Sequence, residues 1–432
     1  LLSTLLLFKF GPVRWEVENE QTFWGLIFIY HAAFVTGYVF SINKNSKKVL
    51  QKPFLSNQSI ENFIMNNFWL LSLLILIGSI ISYKNSTLSS TYFPSTILSD
   101  FYIGLTQPGL ARQHFIDSIP TAKGNKLITM ILATIVFLKY SLTPFMVIFW
   151  ENLNFPKRVS SILLFFIPLI ATISVGTNKL ILDTSFTLSA SILVFTLCSR
   201  KRPFLDTLRK RKTLIGLALG ITLFFPYYFN ATMNSRGVNN FKYMESVSKP
   251  GNIKIIMDGD SILPNSLHNF LIKVSVYVTQ GYYGMSLSTD ENFDSTFGVG
   301  HSNFLLNQVE YFFNIDLIKR TYQFKIHETW DRLVQWHSFY SQVANDTSFI
   351  GVTPVMFFLG WLLSKVYLSA LLHENYFAIS MLPIFGILFI FIPMNNQIFN
   401  FMESLFSLLS LLLLWILSLK LVQNKTQKGS SQ

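Results

Sequence analysis

The chain has 432 residues, half of them hydrophobic and 16% aromatic, with only 13% charged and a formal net charge of +12. A water-soluble chain carries about twice that share of charge, so the composition excludes a soluble enzyme, a disordered tail and a fibrous protein and makes the bilayer the expected solvent. The excess of 34 Lys and Arg over 22 Asp and Glu then concerns membrane topology, and nucleic acid is not an expected partner.

In chain order, the apolar stretch 1–8 is too short to cross a membrane, lacks a basic leader and reads as the remnant of a truncated first span. Nine runs of spanning length follow, at 22–40, 63–83, 127–149, 159–176, 182–199, 214–231, 350–370, 376–393 and 398–419. Their connections alternate in charge. Segment 43–62 carries Lys44, Lys47, Lys48 and Lys52, and segment 200–213 carries seven basic residues against Asp206. With Lys157, Arg158, Lys420, Lys425 and Lys428, one side collects sixteen basic residues against four acids, whereas 232–349 has nine basic and eleven acidic. The positive-inside rule places the basic side in the cytoplasm and the long segments 84–125 and 232–349 outside.

The expected fold is all-α: a polytopic helical membrane bundle of about nine full spans plus the truncated first one, with a large ordered outer loop. In chain order it divides into a transmembrane region over 1–231 with outer loop 84–125, the loop 232–349, helices 350–420 and a cytoplasmic tail 421–432. The loop 232–349 is rich in Tyr, Trp, Phe and Gly, a composition that orders, and loops of that length are usually functional. The single Cys198 excludes an internal disulfide and CxxC chemistry. The chain has no P-loop or dinucleotide fingerprint and no internal repeat of the kind transporters show. Any chemistry therefore needs a substrate that arrives activated.

Within 327–341, Thr329, Leu333, Trp336 and Tyr340 recur at helical spacing, which predicts an amphipathic helix at the membrane surface. It would put His337 where lipid meets water, with an ordinary pKa near 6.5 suited to general-base work. His301 follows a glycine turn, Gly298-Val-Gly300, that permits close approach of a ligand or simply shapes a turn. His327, Asp331 and His337 do not share one helix face, so no metal site is expected. The outer arginines are Arg14, Arg112, Arg236, Arg320 and Arg332, whose guanidinium forks suit phosphate oxygens. Lys179 and Asp183 are one helical turn apart and read as a structural pair or as a substrate-orienting one. Sequons at Asn85, Asn230 and Asn345 are weak glycosylation signals.

Several segments together resemble a known family. Gly176-Thr-Asn-Lys179 with Asp183, Tyr277-Val-Thr-Gln-Gly-Tyr-Tyr-Gly284, Gly298-Val-Gly-His-Ser302, Gln335-Trp-His-Ser-Phe-Tyr340, Asn345-Asp-Thr-Ser-Phe349 and Asn395-Asn-Gln397 are similar, in order and in membrane position, to the O-antigen polymerase family. The resemblance covers about residues 10–400. It implies a glycosyltransferase of the bacterial inner membrane that works on the periplasmic face. Such an enzyme moves a growing glycan from undecaprenyl diphosphate to a new lipid-linked oligosaccharide repeat unit, with no metal, nucleotide or other cofactor. On that resemblance Arg112, Arg236 and Arg332 would bind diphosphate, Arg236 also stabilising charge as the glycosidic bond breaks. His337 or His301 would take the acceptor proton, Gln280, Tyr282, Tyr283, Trp336 and Tyr340 would hold sugars, and Lys179 would help orient substrate. The expected partners are the lipid-linked oligosaccharide, membrane lipid and a chain-length regulator membrane protein. A glycan ligase of similar architecture and a flippase for the same lipid-linked unit are the competing readings.

Overall fold

The computed structural model describes residues 2–45, 57–119, 126–199, 203–235, 253–255, 265–332 and 335–420. The described chain is all-α apart from one two-stranded ribbon. Its helices are α1 (Leu2–Phe10), α2 (Glu20–Asn45), α3 (Asn57–Asn66), α4 (Phe68–Thr87), α5 (Ile97–Thr106), α6 (Pro108–Ser118), α7 (Lys126–Phe149), α8 (Phe155–Ser174), α9 (Lys179–Cys198), α10 (Phe204–Arg209), α11 (Lys212–Ser235), α12 (Asn265–Ser288), α13 (Asn303–Phe313), α14 (Tyr322–Lys325), α15 (Phe339–His373), α16 (Tyr376–Phe391) and α17 (Met402–Lys420).

Eight of the described helices, α2, α4, α7, α8, α9, α11, α15 and α17, are long and apolar enough to cross a membrane. The chain is thus a multi-pass helical membrane protein. The ninth expected span, α16, forms as an apolar helix of 16 residues, shorter than a typical span. Helix α1 covers the short apolar stretch at the chain start. Within segments 84–125 and 232–349 the described residues also form helices, α5 and α6 in the first and α12 to α14 in the second.

Contacts group the chain into two compact units that do not follow chain order. The first takes 1–46, 239–365 and 386–405. Its N-terminal segment is tied to α12. Strand β1 (Val13–Trp15) pairs antiparallel with β2 (Ile253–Ile255), Trp15 Nε1 donates to Thr279 Oγ1 at 2.8 Å, and the Trp15 ring stacks on Tyr283. Helices α2 and α15 cross backbone to backbone, because a Cβ on Gly37 would stand 2.0 Å from the Phe357 carbonyl oxygen and one on Gly360 equally close to that of Phe34. Helix α15 itself is broken at Ser348, whose φ of 63° and ψ of 169° lie outside the helical region.

The second unit takes 47–238, 366–385 and 406–432. Its apolar core joins α4, α7, α8, α9 and α11 around Phe68, Met146, Phe165, Ile181, Leu188, Leu214 and Tyr228. Helix α8 ends at Gly176 in a Schellman arrangement: the N–H of Thr177 reaches the Thr172 carbonyl at 3.0 Å and that of Gly176 reaches Ile173 at 2.9 Å. Asn178 and Thr232 then join side chain to side chain, with Asn178 Nδ2 2.6 Å and Asn178 Oδ1 2.8 Å from Thr232 Oγ1. Among the described basic residues of segment 200–213, Arg211 is interior. Arg211 is 1% exposed and donates to the carbonyls of Val147 (2.8 Å) and Thr207 (3.1 Å) and to Glu151 Oε1 (3.2 Å), which satisfies a guanidinium that burial would otherwise make costly.

Candidate functional site in the first unit

The segment expected to form an amphipathic helix over 327–341 is not helical before Phe339 in its described residues. The reason is where its backbone bonds go. The Trp336 N–H donates to Gln280 Oε1 (3.2 Å), the Trp336 carbonyl accepts from Trp330 Nε1 (3.1 Å), Ser338 N–H donates to the Gly281 carbonyl (3.3 Å) and Phe339 N–H to that of Ile392 (2.9 Å). Tertiary partners have taken the groups that a helix would pair within itself.

The motif Gln280-Gly-Tyr-Tyr-Gly284 makes this possible. A Cβ on Gly281 would collide with the Pro393 carbonyl oxygen at 2.3 Å, and one on Gly284 would stand 2.7 Å from Trp330 Nε1 and 3.4 Å from His337 Nδ1. Both glycines let Trp330, His337 and Ser338 lie directly on α12. The tyrosines between them serve packing. Tyr282 is fully buried among Phe8 and Phe23, with its hydroxyl 3.2 Å from Thr4 Oγ1, and Tyr283 is sandwiched between Trp15 and Trp330. Tyr340 is fully buried against Tyr30 and Phe339. The sugar-holding role expected of these three tyrosines does not fit rings whose faces are already covered.

What Arg332, Gln335, Trp336 and His337 do line is a cavity of about 750 Å³, within the range of small-ligand sites. Its wall is mostly amides and aromatics: Asn303, Asn307, Gln323, Gln342, Asn395 and Asn400, with Trp336, Phe304, Phe401, Arg332 and His337. Several of the amides are braced by one another. Asn303 N–H donates to Asn400 Oδ1 (3.0 Å), Asn400 Nδ2 to Asn395 Oδ1 (2.8 Å), and Asn345 Nδ2, from behind, to Gln323 Oε1 (2.8 Å). Two side chains in the wall are buried to 4% exposure and yet have polar atoms with no protein partner: both ring nitrogens of His337 and Oε1 of Gln342. Buried polar atoms are almost always satisfied, so these are the positions where a ligand's hydroxyls or phosphate oxygens would complete the network.

Burial pushes the His337 imidazole down from its ordinary value to about 3, against a weaker opposing pull from the Asp331 carboxylate. The expectation of an interfacial base with a near-neutral pKa is corrected accordingly: His337 is a neutral interior group. Such an imidazole can donate one hydrogen bond and accept another, but it holds a proton poorly.

The second histidine has a different environment. His301 follows Gly300, where a Cβ would stand 2.0 Å from Thr296 Oγ1. Its Nδ1 lies 2.9 Å from Asp346 Oδ2, its own N–H reaches the same oxygen at 2.9 Å, and Gly300 N–H reaches Asp346 Oδ1 at 2.8 Å. The adjacent Asn345, a sequon residue in the sequence, is 1% exposed and bonds Gly300, Gln323 and Tyr322. The sequon residues Asn85 and Asn230 lie inside α4 and α11.

The remaining expected site residues divide by location. Arg332 lines the cavity, its guanidinium 5.9 Å from the Phe324 ring, and Trp336 lines it beside Tyr277. Gln280 holds the backbone of Trp336. Arg112, over the Phe115 ring at 5.0 Å, and Lys179, the first residue of α9, belong to the second unit. Arg236 lies outside the described residues. His327 Nδ1 is 3.2 Å from Asp331 Oδ1, and no three His, Cys, Asp or Glu side chains gather as a metal would need among the described residues.

No protein-family model, curated protein or solved structure matches the chain. Amides that each donate and accept, an indole face and one guanidinium are the set that holds a neutral polyhydroxylated ligand with an anionic group at one end. Sequence reasoning missed Asp346, Gln342, Gln323 and Asn400. Asp346 and the pair Asn395-Asn396 did stand inside motifs that carried the resemblance, whereas Gln342 and Gln323 had no local signal.

Proposed function

We propose that the chain is a membrane glycosyltransferase of the O-antigen polymerase type. It takes undecaprenyl-diphosphate-linked oligosaccharide on the periplasmic face of a bacterial inner membrane and transfers the growing glycan to a new lipid-linked repeat unit. The observation that carries the reading is the amide-lined cavity with the unpartnered nitrogens of His337 and the unpartnered Gln342 Oε1. The ordered set of sequence motifs and the multi-pass helical fold support it.

In this reading the amides and the neutral His337 exchange hydrogen bonds with sugar hydroxyls, and Trp336 offers a ring face to a pyranose. Arg332 pairs with a diphosphate oxygen, where a fixed positive charge favours the leaving group as its bond to the anomeric carbon breaks. A chain-length regulator in the membrane is a fitting partner.

The reading is tested by incubating the purified protein in liposomes with a polyprenyl-diphosphate oligosaccharide repeat unit matched to the source and with no other acceptor. A product ladder spaced by one repeat unit is the expected result. Accelerated exchange of the lipid-linked sugar across the bilayer without a ladder would replace the enzyme by a flippase, and glycan transfer only after a different acceptor is added would replace the polymerase by a ligase.

A further inference from the structure

The reaction proposed above needs a group that removes the acceptor hydroxyl proton, and His337, buried and held neutral, is poorly suited to carry it. The other histidine of this region is built differently. The Asp346 carboxylate is 7% exposed and accepts four hydrogen bonds, from Thr296 Oγ1, the N–H of Gly300, the N–H of His301 and His301 Nδ1. An ionised carboxylate has only acceptor sites, so the ring nitrogen 2.9 Å away carries the proton and Nε2 is left as the basic lone pair. The ring is 27% exposed and set edge to face against Phe399, at 5.6 Å between centroids. The His301 carbonyl accepts from Asn396 Nδ2 at 2.6 Å, Ser302 caps α13, and Asn303, its first residue, is the nearest residue in the chain that lines the cavity. The ring is therefore fixed in tautomer and in orientation at a point two residues from Asn303.

We propose that Asp346 is a positioning residue that makes His301 Nε2 the proton acceptor of glycosyl transfer, an assignment that rests on the glycosyltransferase reading. In the step, Nε2 takes the proton of the acceptor hydroxyl while the acceptor oxygen forms a bond to the donor's anomeric carbon. The bond from that carbon to the lipid diphosphate breaks, and its electron pair leaves on the phosphate oxygen. The imidazolium so formed is stabilised by the Asp346 charge. The break in α15 at Ser348, two residues on, ends the helical segment that carries Asp346.

Two measurements on the full chain in detergent or liposomes test this, one without any substrate. In protein labelled with ¹⁵N-histidine, the signal lost in His301→Gln identifies His301. In the parent chain it should show the Nδ1–H tautomer at neutral pH. Asp346→Asn can keep the carboxylate's bonds to Thr296 and Gly300 but presents an amide N–H to Nδ1, so the signal should move to the Nε2–H form. An unchanged tautomer in Asp346→Asn would overturn the positioning role. In the ladder assay Asp346→Asn should lower kcat by roughly 10²–10⁴-fold with KM changed little, as expected when an oriented base is held in the wrong tautomer, and Asp346→Glu should recover some of the loss. A parent chain that forms the ladder while Asp346→Asn does so equally fast would overturn the proposal alone. A parent chain that forms no ladder on its matched substrate and transfers glycan to no other acceptor, with the tautomer shift intact, would overturn the glycosyltransferase reading and with it the catalytic use of a dyad whose geometry still stood.

Discussion

Two glycine turns in this protein look alike in sequence and do different things. Gly176-Thr-Asn-Lys179 and Gly298-Val-Gly-His-Ser302 each begin with a left-handed glycine, at φ of 62° and 85°. In the first, a Cβ on Gly176 would stand 2.1 Å from the Pro108 carbonyl oxygen, and the polar residues that follow are answered, Thr177 by Thr172 and Asn178 by Thr232. In the second, a Cβ on Gly298 would meet nothing, and the turn delivers a partly exposed histidine onto a buried carboxylate. The first glycine is required by packing and its polar groups are saturated. The second shapes a loop that keeps an imidazole partly exposed. A glycine motif thus says that a backbone comes close or turns sharply, and only the partners of the next polar side chains say whether the purpose is structural.

Substitutions can break this contrast, and the largest effect falls on the second turn. His301→Gln is expected to lower the rate of ladder formation by roughly 10²–10⁴-fold while the protein accumulates and melts as before. A loss of folded protein in step with the loss of rate would reduce His301 to a structural residue. Gly176→Ala should do the reverse, costing about 2 kcal/mol or more through the clash and the backbone strain together. Gly298→Ala meets only the left-handed penalty of about 1 kcal/mol. Thermal melts of the two variants side by side give the comparison directly.

The pH dependence of stability sharpens the picture of His337. Its folded pKa of about 3 lies below the ordinary 6.5, so between those values the unfolded chain binds the proton and the folded one does not. Stability therefore falls as pH drops through this window, by about 2 kcal/mol between pH 7 and pH 5 from this residue alone. Melting curves of His337→Gln should lack that share of the acid sensitivity. An equal acid sensitivity in the variant would mean that the ring is hydrated. Thr232→Val, which removes the partner of Asn178, should cost about 1–3 kcal/mol with no effect on the ladder. The smallest effect is expected from Gln342→Ala: a rise in KM of roughly fivefold, one hydrogen bond's worth, read from initial rates at varied substrate.

The membrane helices were legible because their signal is a single physical quantity, apolar length, and eight of the nine expected spans form at spanning length. The helical expectation for 327–341 failed because periodicity records which residues are apolar, not which partners compete for the backbone. Thr329, Trp336 and Tyr340 recur at helical spacing, yet Trp336 and the nearby Trp330 are held by Gln280, Tyr283 and Trp15, far away in the chain. Tyr282, Tyr283 and Tyr340 attracted notice as polar aromatics, but a motif cannot tell a ring whose faces are open from one already covered. Asp346 was hidden in another way. Its meaning depends on Gly300 and His301, 46 and 45 residues upstream, folding over it, and a single sequence carries no trace of that contact.

The glycine crossing of α2 and α15 has a consequence for register. Gly37 and Gly360 fix one point on α15, and residues Gln342 and Asp346 must reach their positions from the far side of the Ser348 break. An α-helix turns about 100° per residue. One residue inserted between Ser348 and Gly360 would therefore swing the carboxylate away from His301 and the amide out of the cavity, whereas a pair of full turns would restore their azimuth at a displaced height. Length changes in this stretch should thus be judged by their phase around the helix axis, and a single deletion there can do more harm than a longer one.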